Sequence, residues 1–171
     1  MRGVLVMGRS AFFVFVFSSL SLLDFAFAGD PAWYEHWERT YGCQVLAPED
    51  IHLAERIWDN GWTGRLGSKE GIVLYIAHKT DVEERSQIER FGTGMVGVAQ
   101  DRWRCIGRKR SEDGWEWFRA VIAHYGSSVY LAGYGSASDG EGHVCVLRIG
   151  NDEFKENRSF YEQWCSSIEL R

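Results

Sequence analysis

Two histidines, His124 and His143, have side chains suited to proton transfer. An imidazole titrates near neutral pH, so one histidine can accept a proton while the other donates one. Glu116 and Arg119 would supply a carboxylate and a cation, which completes a set typical of a metal-independent ribonuclease or a related small hydrolase. A pair of glutamates offers a glycoside-hydrolase route instead. The spacing does not show that any of these groups converge, so hydrolysis is our alternative hypothesis and enzymatic activity stays open.

Four of the eight tryptophans stand beside polar or glycine residues. Trp58 and Trp62 enclose Asp-Asn-Gly, and Trp115 and Trp117 flank Glu116 just after a glycine. Large rings next to hydrogen-bonding groups at turns suit stacking on a sugar or anchoring of a protein partner. Core packing is the alternative explanation. We predict a non-enzymatic binding domain that recognises a protein or a glycan through exposed aromatic residues.

The only basic cluster contains Arg104 and Arg108. It could be a solvated strand face or a patch that docks an acidic partner.

The chain as a whole has a formal charge of −5. Loss of Arg2, Arg9 and Asp24 with an N-terminal leader would leave 17 basic and 23 acidic residues, a charge of −6. An acidic chain matches a nucleic-acid backbone poorly, so we do not expect nucleic acid as a partner.

The first 28 residues have the pattern of a secretory signal peptide. Arg2 and Arg9 precede the apolar stretch Ala11–Leu23, and Ala-Phe-Ala before Gly29 fits cleavage after a small residue. The apolar run is shorter than the ~20 residues that a membrane-spanning helix needs. We therefore predict a secreted or periplasmic protein that begins at Gly29 and has no transmembrane segment in its mature part. A structural component of the cell envelope is a third possibility.

Four cysteines, Cys43, Cys105, Cys145 and Cys165, follow the leader. An even number in an oxidising compartment predicts two disulfides, with three possible pairings. We favour Cys43 with Cys165 and Cys105 with Cys145. The cysteines do not form Cys-x-x-Cys motifs, and they are far from any paired histidines, so we predict no metal site.

The segment Gly92-Thr-Gly94-Met-Val-Gly97 has the glycine spacing of a dinucleotide-binding turn. Such a turn must follow a buried strand and begin a helix. The residues before Gly92 are not a buried strand, and those after Gly97 look extended. We therefore interpret the segment as a flexible or bulged turn, and we predict no cofactor.

Two N-terminal segments have helical spacing. Pro31 to Tyr41 begins with Asp30-Pro31, a cap followed by a proline suited to a first helical turn, and its aromatic residues recur at helical intervals. Pro48 to Trp58 has acidic residues in its first turn and an apolar face, and Asn60-Gly61 would end it. We expect both segments to be helices, and we expect a short C-terminal helix from about Phe160 to Ile168.

The central part of the chain favours strands. Ile72–Ala77 is a run of β-forming apolar residues, His143–Ile149 is another, and Met95–Arg110 looks extended. Residues 81–90 could be a helix or a loop. Residues 115–125 fit a helix by spacing, but their composition and the turn at Gly126 favour a strand that leads into a hairpin.

These elements predict an α+β fold. We expect one compact domain over residues 29–171, with N-terminal helices, a central antiparallel sheet, a short C-terminal helix and two disulfides.

Overall fold

The computed structural model describes residues 32–109 and 114–170 of the chain. The leader predicted over residues 1–28 lies outside the described residues. Of the described residues, 51% are in strands and 24% in helices, so this part of the chain is mostly β, and the predicted α+β class is wrong. Its strands are β1 (Trp33–Glu38), β2 (Cys43–Pro48), β3 (Ala54–Ile57), β4 (Thr63–Lys69), β5 (Ile72–Lys79), β6 (Arg104–Lys109), β7 (Trp115–Tyr125), β8 (Ser128–Ala137), β9 (Gly142–Gly150) and β10 (Glu169–Leu170).

Seven strands form one antiparallel sheet in the order β3-β4-β5-β9-β8-β7-β6. Its central strands are apolar on both faces, as strands covered on both sides must be. In β9, Cys145 and Leu147 contribute to a core on one face, whereas Val144 and Val146 contribute to a core on the other. The strands predicted at residues 72–77 and 143–149 are therefore confirmed, because β-branched residues pack well on a pleated surface.

Different elements cover the two faces of the large sheet. One face is covered by a small sheet of order β1-β2-β10 and by two C-terminal helices, α2 (Asn151–Glu156) and α3 (Arg158–Trp164). The other face is covered by helix α1 (Arg85–Gly94), which buries Ile88 against it. Three 3-10 turns complete the described elements: Asp59–Gly61, Gln100–Arg102 and Cys165–Ser167.

The predicted N-terminal helices are wrong. Residues 33–38 form strand β1, which pairs with β2 after a turn that places Gly42 at φ 61°. Their aromatic residues are strong strand formers, and pairing with the apolar β2 run overrides their helical spacing. In the second segment, Asp50 takes φ 58° directly after β2, and Ala54–Ile57 then forms an exposed edge strand.

Later segments follow the sequence pattern more closely. Residues 115–125 form β7, and Gly126-Ser127 turns the chain into β8, so the predicted hairpin is confirmed. The segment of residues 81–90, left open between helix and loop, contains the first part of α1. Gly92 and Gly94 lie in the same helix, and residues 95–97 form a turn after it, so the predicted turn is wrong for the first half of the segment and confirmed for the second.

The prediction of two disulfides is also wrong, because all four cysteines are free thiols. Cys105 is exposed on edge strand β6, three strands away from Cys145 on β9. That spacing corresponds to roughly 14 Å between strands, which no disulfide spans. Cys43, Cys145 and Cys165 are buried in the same core, where small apolar thiols pack without a covalent bond.

Candidate functional site

A cleft of about 620 Å³ lies between the turn that joins β3 to β4 and the C-terminal half of α1. Trp58 and Trp62, both predicted as binding residues, stand at the two ends of this turn and line the cleft. The turn is compact because Asn60 and Gly61 both adopt positive φ, 64° and 80°. The Trp58 backbone N–H donates to the Trp62 carbonyl at 2.8 Å, which fixes the two indoles on one side of the sheet.

The aromatic residues of the cleft have different exposures. Trp62 is only 2% exposed and stacks on Phe91 of α1, with ring centroids 4.1 Å apart and an interplanar angle of 3°. Trp58 is half-buried and meets Phe91 edge-on, at 5.8 Å and 84°. Trp62 is therefore a buried structural residue that packs α1 against the sheet. Trp58 is the tryptophan that a ligand can reach.

The rim of the cleft is polar and carries more positive than negative charge. Lys79 and Arg90 line it together with Asp59, and neither cation forms an ion pair with another residue in the described parts of the chain. Arg90 donates from Nε only to the Ser86 carbonyl, at 3.3 Å. The Gln87 Oε1 atom is buried and has no hydrogen-bond partner among the described residues. The cleft thus presents one reachable indole and unpaired cations.

The other predicted binding residues lie elsewhere. Trp115 is 1% exposed, because a β-bulge between Trp115 and Trp117 turns its ring into the core. Trp117 lies under the Arg85 guanidinium, whose carbon is 4.2 Å from the ring centroid. Arg104 and Arg108 are exposed on edge strand β6, at the far side of the sheet from β3. The structure therefore brings only Trp58 and Trp62 together, and binding by the other residues stays a prediction.

The structure does not bring His124 and His143 together. His143 is the second residue of β9 and lies opposite Gly135, whereas His124 is the next-to-last residue of β7 and lies opposite Val129. Six residues along β8 separate these positions, which corresponds to roughly 20 Å. His124 instead packs edge-on against Phe154, with ring centroids 5.5 Å apart.

Glu116 and Arg119 do not join either histidine. Glu116 is exposed at the bulge of β7. Arg119 forms an ion pair with Glu89 of α1 at 3.2 Å and a hydrogen bond with the Tyr134 hydroxyl. Burial raises the pKa of Tyr134, so the phenol remains protonated beside this guanidinium at neutral pH. Arg119 thus helps to hold α1 on the sheet.

A second cluster forms around His143. The Glu141 Oε2 atom lies 3.1 Å from His78 Nε2 and 3.8 Å from His143 Nε2. The Tyr41 ring covers His78 at 5.6 Å, and Trp115 meets His143 edge-on at 5.8 Å. Burial, together with the nearby His78, lowers the pKa of His143 to about 4, although Asp139 opposes the shift. His143 is therefore a neutral imidazole at physiological pH.

Sequence reasoning missed His78 and Glu141 as neighbours of His143. His78 lies near the end of β5 and His143 near the start of β9, and the antiparallel register places them directly opposite each other. The sequence shows both strands but not their register. The short interval from Glu141 to His143 was the one local signal that could have pointed to this cluster.

No protein-family pattern matches this chain, and no curated protein matches it. The fold resembles that of a solved structure, the solution structure of cyanobacterial PsbP (CyanoP) from Synechocystis sp. PCC 6803. The TM-score is 0.55 at 14% sequence identity, over 84% of this chain and 95% of the other. The chain therefore has a PsbP-like fold.

The described helices include none that is long and apolar enough to cross a membrane.

Proposed function

We propose that this chain is a non-enzymatic, exported binding domain that holds a segment of a protein partner in the cleft beside Trp58. The observation that carries the proposal is that one cavity is lined by a reachable indole and by two cations without ion-pair partners among the described residues, Lys79 and Arg90. Binding energy concentrates where an aromatic anchor meets a pocket that is rimmed by polar groups. The separation of His124 from His143 argues against the hydrolase that uses them as an acid–base pair.

The geometry favours a protein segment over a glycan. A sugar stacks on the flat face of a ring, but Phe91 covers one face of Trp62 and the core leaves that indole 2% exposed. Of the two tryptophans, only Trp58 offers reachable ring surface. A cleft lined by the aromatic rings of Trp58 and Phe91 suits the insertion of one apolar side chain. The rim cations would bind carboxylates on either side of it, so we infer an acidic partner segment.

A comparative pull-down from the host's envelope fraction tests this function. The bait is the chain beginning at Gly29, and its variants are Trp58→Ala and the double charge reversal Lys79→Glu with Arg90→Glu. Tyr125→Ala is the matched control, because Tyr125 is an exposed aromatic residue on a different part of the sheet. We expect one protein that is retained by the bait and by the control and lost with both cleft variants. Equal retention by all four forms, or retention of a glycan alone, would overturn the proposal.

Export is tested separately on the full-length chain. Cleavage after Ala28 predicts that protein recovered from the envelope or medium begins at Gly29, which N-terminal sequencing and intact mass can show. Replacing Ala26 and Ala28 with arginine should block this processing. Recovery of the unprocessed chain in the cytoplasm would contradict export without affecting the cleft.

A further inference from the structure

We propose that His78, Glu141 and His143 form a binding site for a divalent transition-metal ion of the zinc class. This site lies apart from the Trp58 cleft and does not depend on the binding function proposed above. One ligand atom from each residue lies within 4.8 Å of the others.

The distances suit tetrahedral coordination. Zinc binds imidazole nitrogen and carboxylate oxygen at about 2.0–2.1 Å, so two ligand atoms of a tetrahedral ion are about 3.3 Å apart. The distances from Glu141 Oε2 to the two Nε2 atoms, 3.1 Å and 3.8 Å, lie on either side of this value. All three ligand atoms lie within 4.8 Å of one another, so side-chain rotations that shorten the longer separations would complete the three-ligand set.

An unsatisfied polar atom gives an independent reason for a ligand here. His78 Nε2, which faces Glu141, is buried and forms no hydrogen bond with the described residues. The contact from His78 to Glu141 has the distance of an ion pair but not the geometry of a hydrogen bond. A buried nitrogen without a partner is costly, and coordination of a cation by the lone pair of His78 Nε2 would remove that cost.

The backbone holds the ligands in place before any ion arrives. His78 and His143 are direct cross-strand partners on β5 and β9, so their side chains share a face of the sheet at close range. Glu141 stands in the turn just before β9, where its N–H donates to Asp139 Oδ1 at 3.1 Å. A site on paired strands loses little side-chain entropy on binding, which favours affinity.

The surroundings give the ion a route of entry and a chemical preference. A cavity of about 300 Å³, lined by Thr40, Asp139 and the three ligands, leads to the cluster and leaves room for water as a fourth ligand. Two imidazoles with one carboxylate favour zinc and similar ions, whereas magnesium and calcium prefer sets made of oxygen ligands.

Titration of the metal-stripped chain tests the site. We expect one equivalent of Zn²⁺ to bind by calorimetry, one equivalent of Co²⁺ to give the visible absorption of a tetrahedral ion, and Mg²⁺ not to bind. His78→Gln and Glu141→Gln should each lower the Zn²⁺ affinity by at least ~10-fold. These two side chains are only partly buried, so both variants should fold, which circular dichroism checks.

Two control variants address adventitious binding. His36 belongs to another histidine–glutamate contact, in which Arg65 occupies Glu38 at 2.7 Å, and His124 is an exposed histidine on β7. His36→Gln and His124→Gln should therefore leave the zinc affinity unchanged. The proposal fails if the chain binds no zinc, if the His78 and Glu141 variants bind as tightly as the parent chain, or if a control variant abolishes binding.

Discussion

Three of the four thiols in this chain are shut off from solvent. Burial raises the pKa of Cys165 to about 12. The pKa of Cys145 lies well above its ordinary value because its side chain hydrogen-bonds with Cys43 and is fully buried. Only the thiolate form of cysteine reacts quickly with disulfide reagents. The buried thiols should therefore be inert while the fold is intact.

We expect DTNB at pH 8 to titrate a single thiol of the native chain quickly. That thiol is Cys105, which is exposed on β6 and makes only a weak contact to the Gly107 carbonyl, at 3.6 Å. In guanidinium without reductant, all four thiols should react. Cys105→Ser should abolish the fast reaction and leave three slow thiols. Fewer than four thiols after unfolding would instead show that the isolated protein contains a disulfide.

His143 makes the stability of the fold depend on pH. Its pKa in the folded chain is about 4, against 6.5 for an ordinary histidine. The unfolded chain therefore binds the proton more readily, and lowering the pH from 6.5 to 4 favours unfolding. The stability that the neutral imidazole contributes is fully present above pH 6.5, is lost between pH 6.5 and 4, and changes no further below pH 4. The shift corresponds to at most about 3 kcal/mol.

Urea unfolding at pH 7.0, 5.5 and 4.5 in the presence of EDTA checks this effect. We expect the free energy of unfolding to decrease as the pH is lowered from 7.0 to 4.5. The decrease should be smaller in His143→Gln. His78, Asp139 and Glu141 face the same imidazole and are unchanged in this variant, so the comparison isolates His143. A difference between the two proteins that stays constant across the three pH values would contradict the assignment.

At the scale of elements, two glycines in α1 differ in the space available for a side chain. A Cβ atom at Gly92 would lie 3.0–3.3 Å from three atoms of Tyr134, a residue that is itself 2% exposed. A Cβ atom at Gly94 would meet nothing within 4 Å. Gly92 thus allows α1 to approach β8, whereas Gly94 only adds flexibility to the end of the helix.

Alanine substitution at each glycine should show this difference. Gly94→Ala should be neutral or stabilise the protein by up to about 1 kcal/mol, because alanine restricts the unfolded chain and favours helix. Gly92→Ala should destabilise it, because the Tyr134 ring has no free space to move into. Thermal unfolding of the two variants provides the measurement. A Gly92→Ala protein as stable as Gly94→Ala would mean that α1 does not rest on Tyr134.

The elements that the sequence predicts correctly are those in which β-forming composition outweighs any competing signal. That composition is unopposed in the run Ile72–Ala77, and at residues 115–125 it combines with the turn at Gly126 to outweigh a helical spacing. At the N-terminus two signals conflict, because the helical spacing of Trp33 and Trp37 coincides with strand-forming composition. The long-range pairing of β1 with β2 decides between them, and no local pattern contains that information.

Prediction of the sites has the same limit. Trp58 and Trp62 could be predicted as neighbours, because three residues of a turn separate them. Phe91 and Arg90, which complete the cleft, come from α1, and the sequence does not show where this helix packs. The cluster at His78 depends on the register of β5 against β9. Cross-strand register follows from the whole hydrophobic pattern of a sheet and not from the residues of a site.

At the scale of the whole molecule, the C-terminal segment, residues 158–170, packs between the small sheet and the large one and contacts both. β10 pairs with β2, and Phe160 and Tyr161 of α3 pack on Trp33 of β1. Trp164 is 1% exposed, and its Nε1 donates to the Leu46 carbonyl of β2 at 2.8 Å. Residues of both sheets and of this segment share one core. This sharing predicts that the two sheets unfold together, as expected for one domain.

Trp164→Ala tests this cooperativity. The substitution removes a buried indole and leaves the Leu46 carbonyl without its partner, which should cost about 3–5 kcal/mol. Trp103→Ala is the matched control, because Trp103 is half-buried and donates weakly, at 3.4 Å, to the Val98 carbonyl, so its loss should cost less. Calorimetry should show one transition for each protein, with the lower midpoint for Trp164→Ala. Hydrogen exchange should then accelerate in β2 and β9 alike. Early exchange of β1 and β2 alone, with β7–β9 still protected, would instead show that the small sheet unfolds as an independent unit.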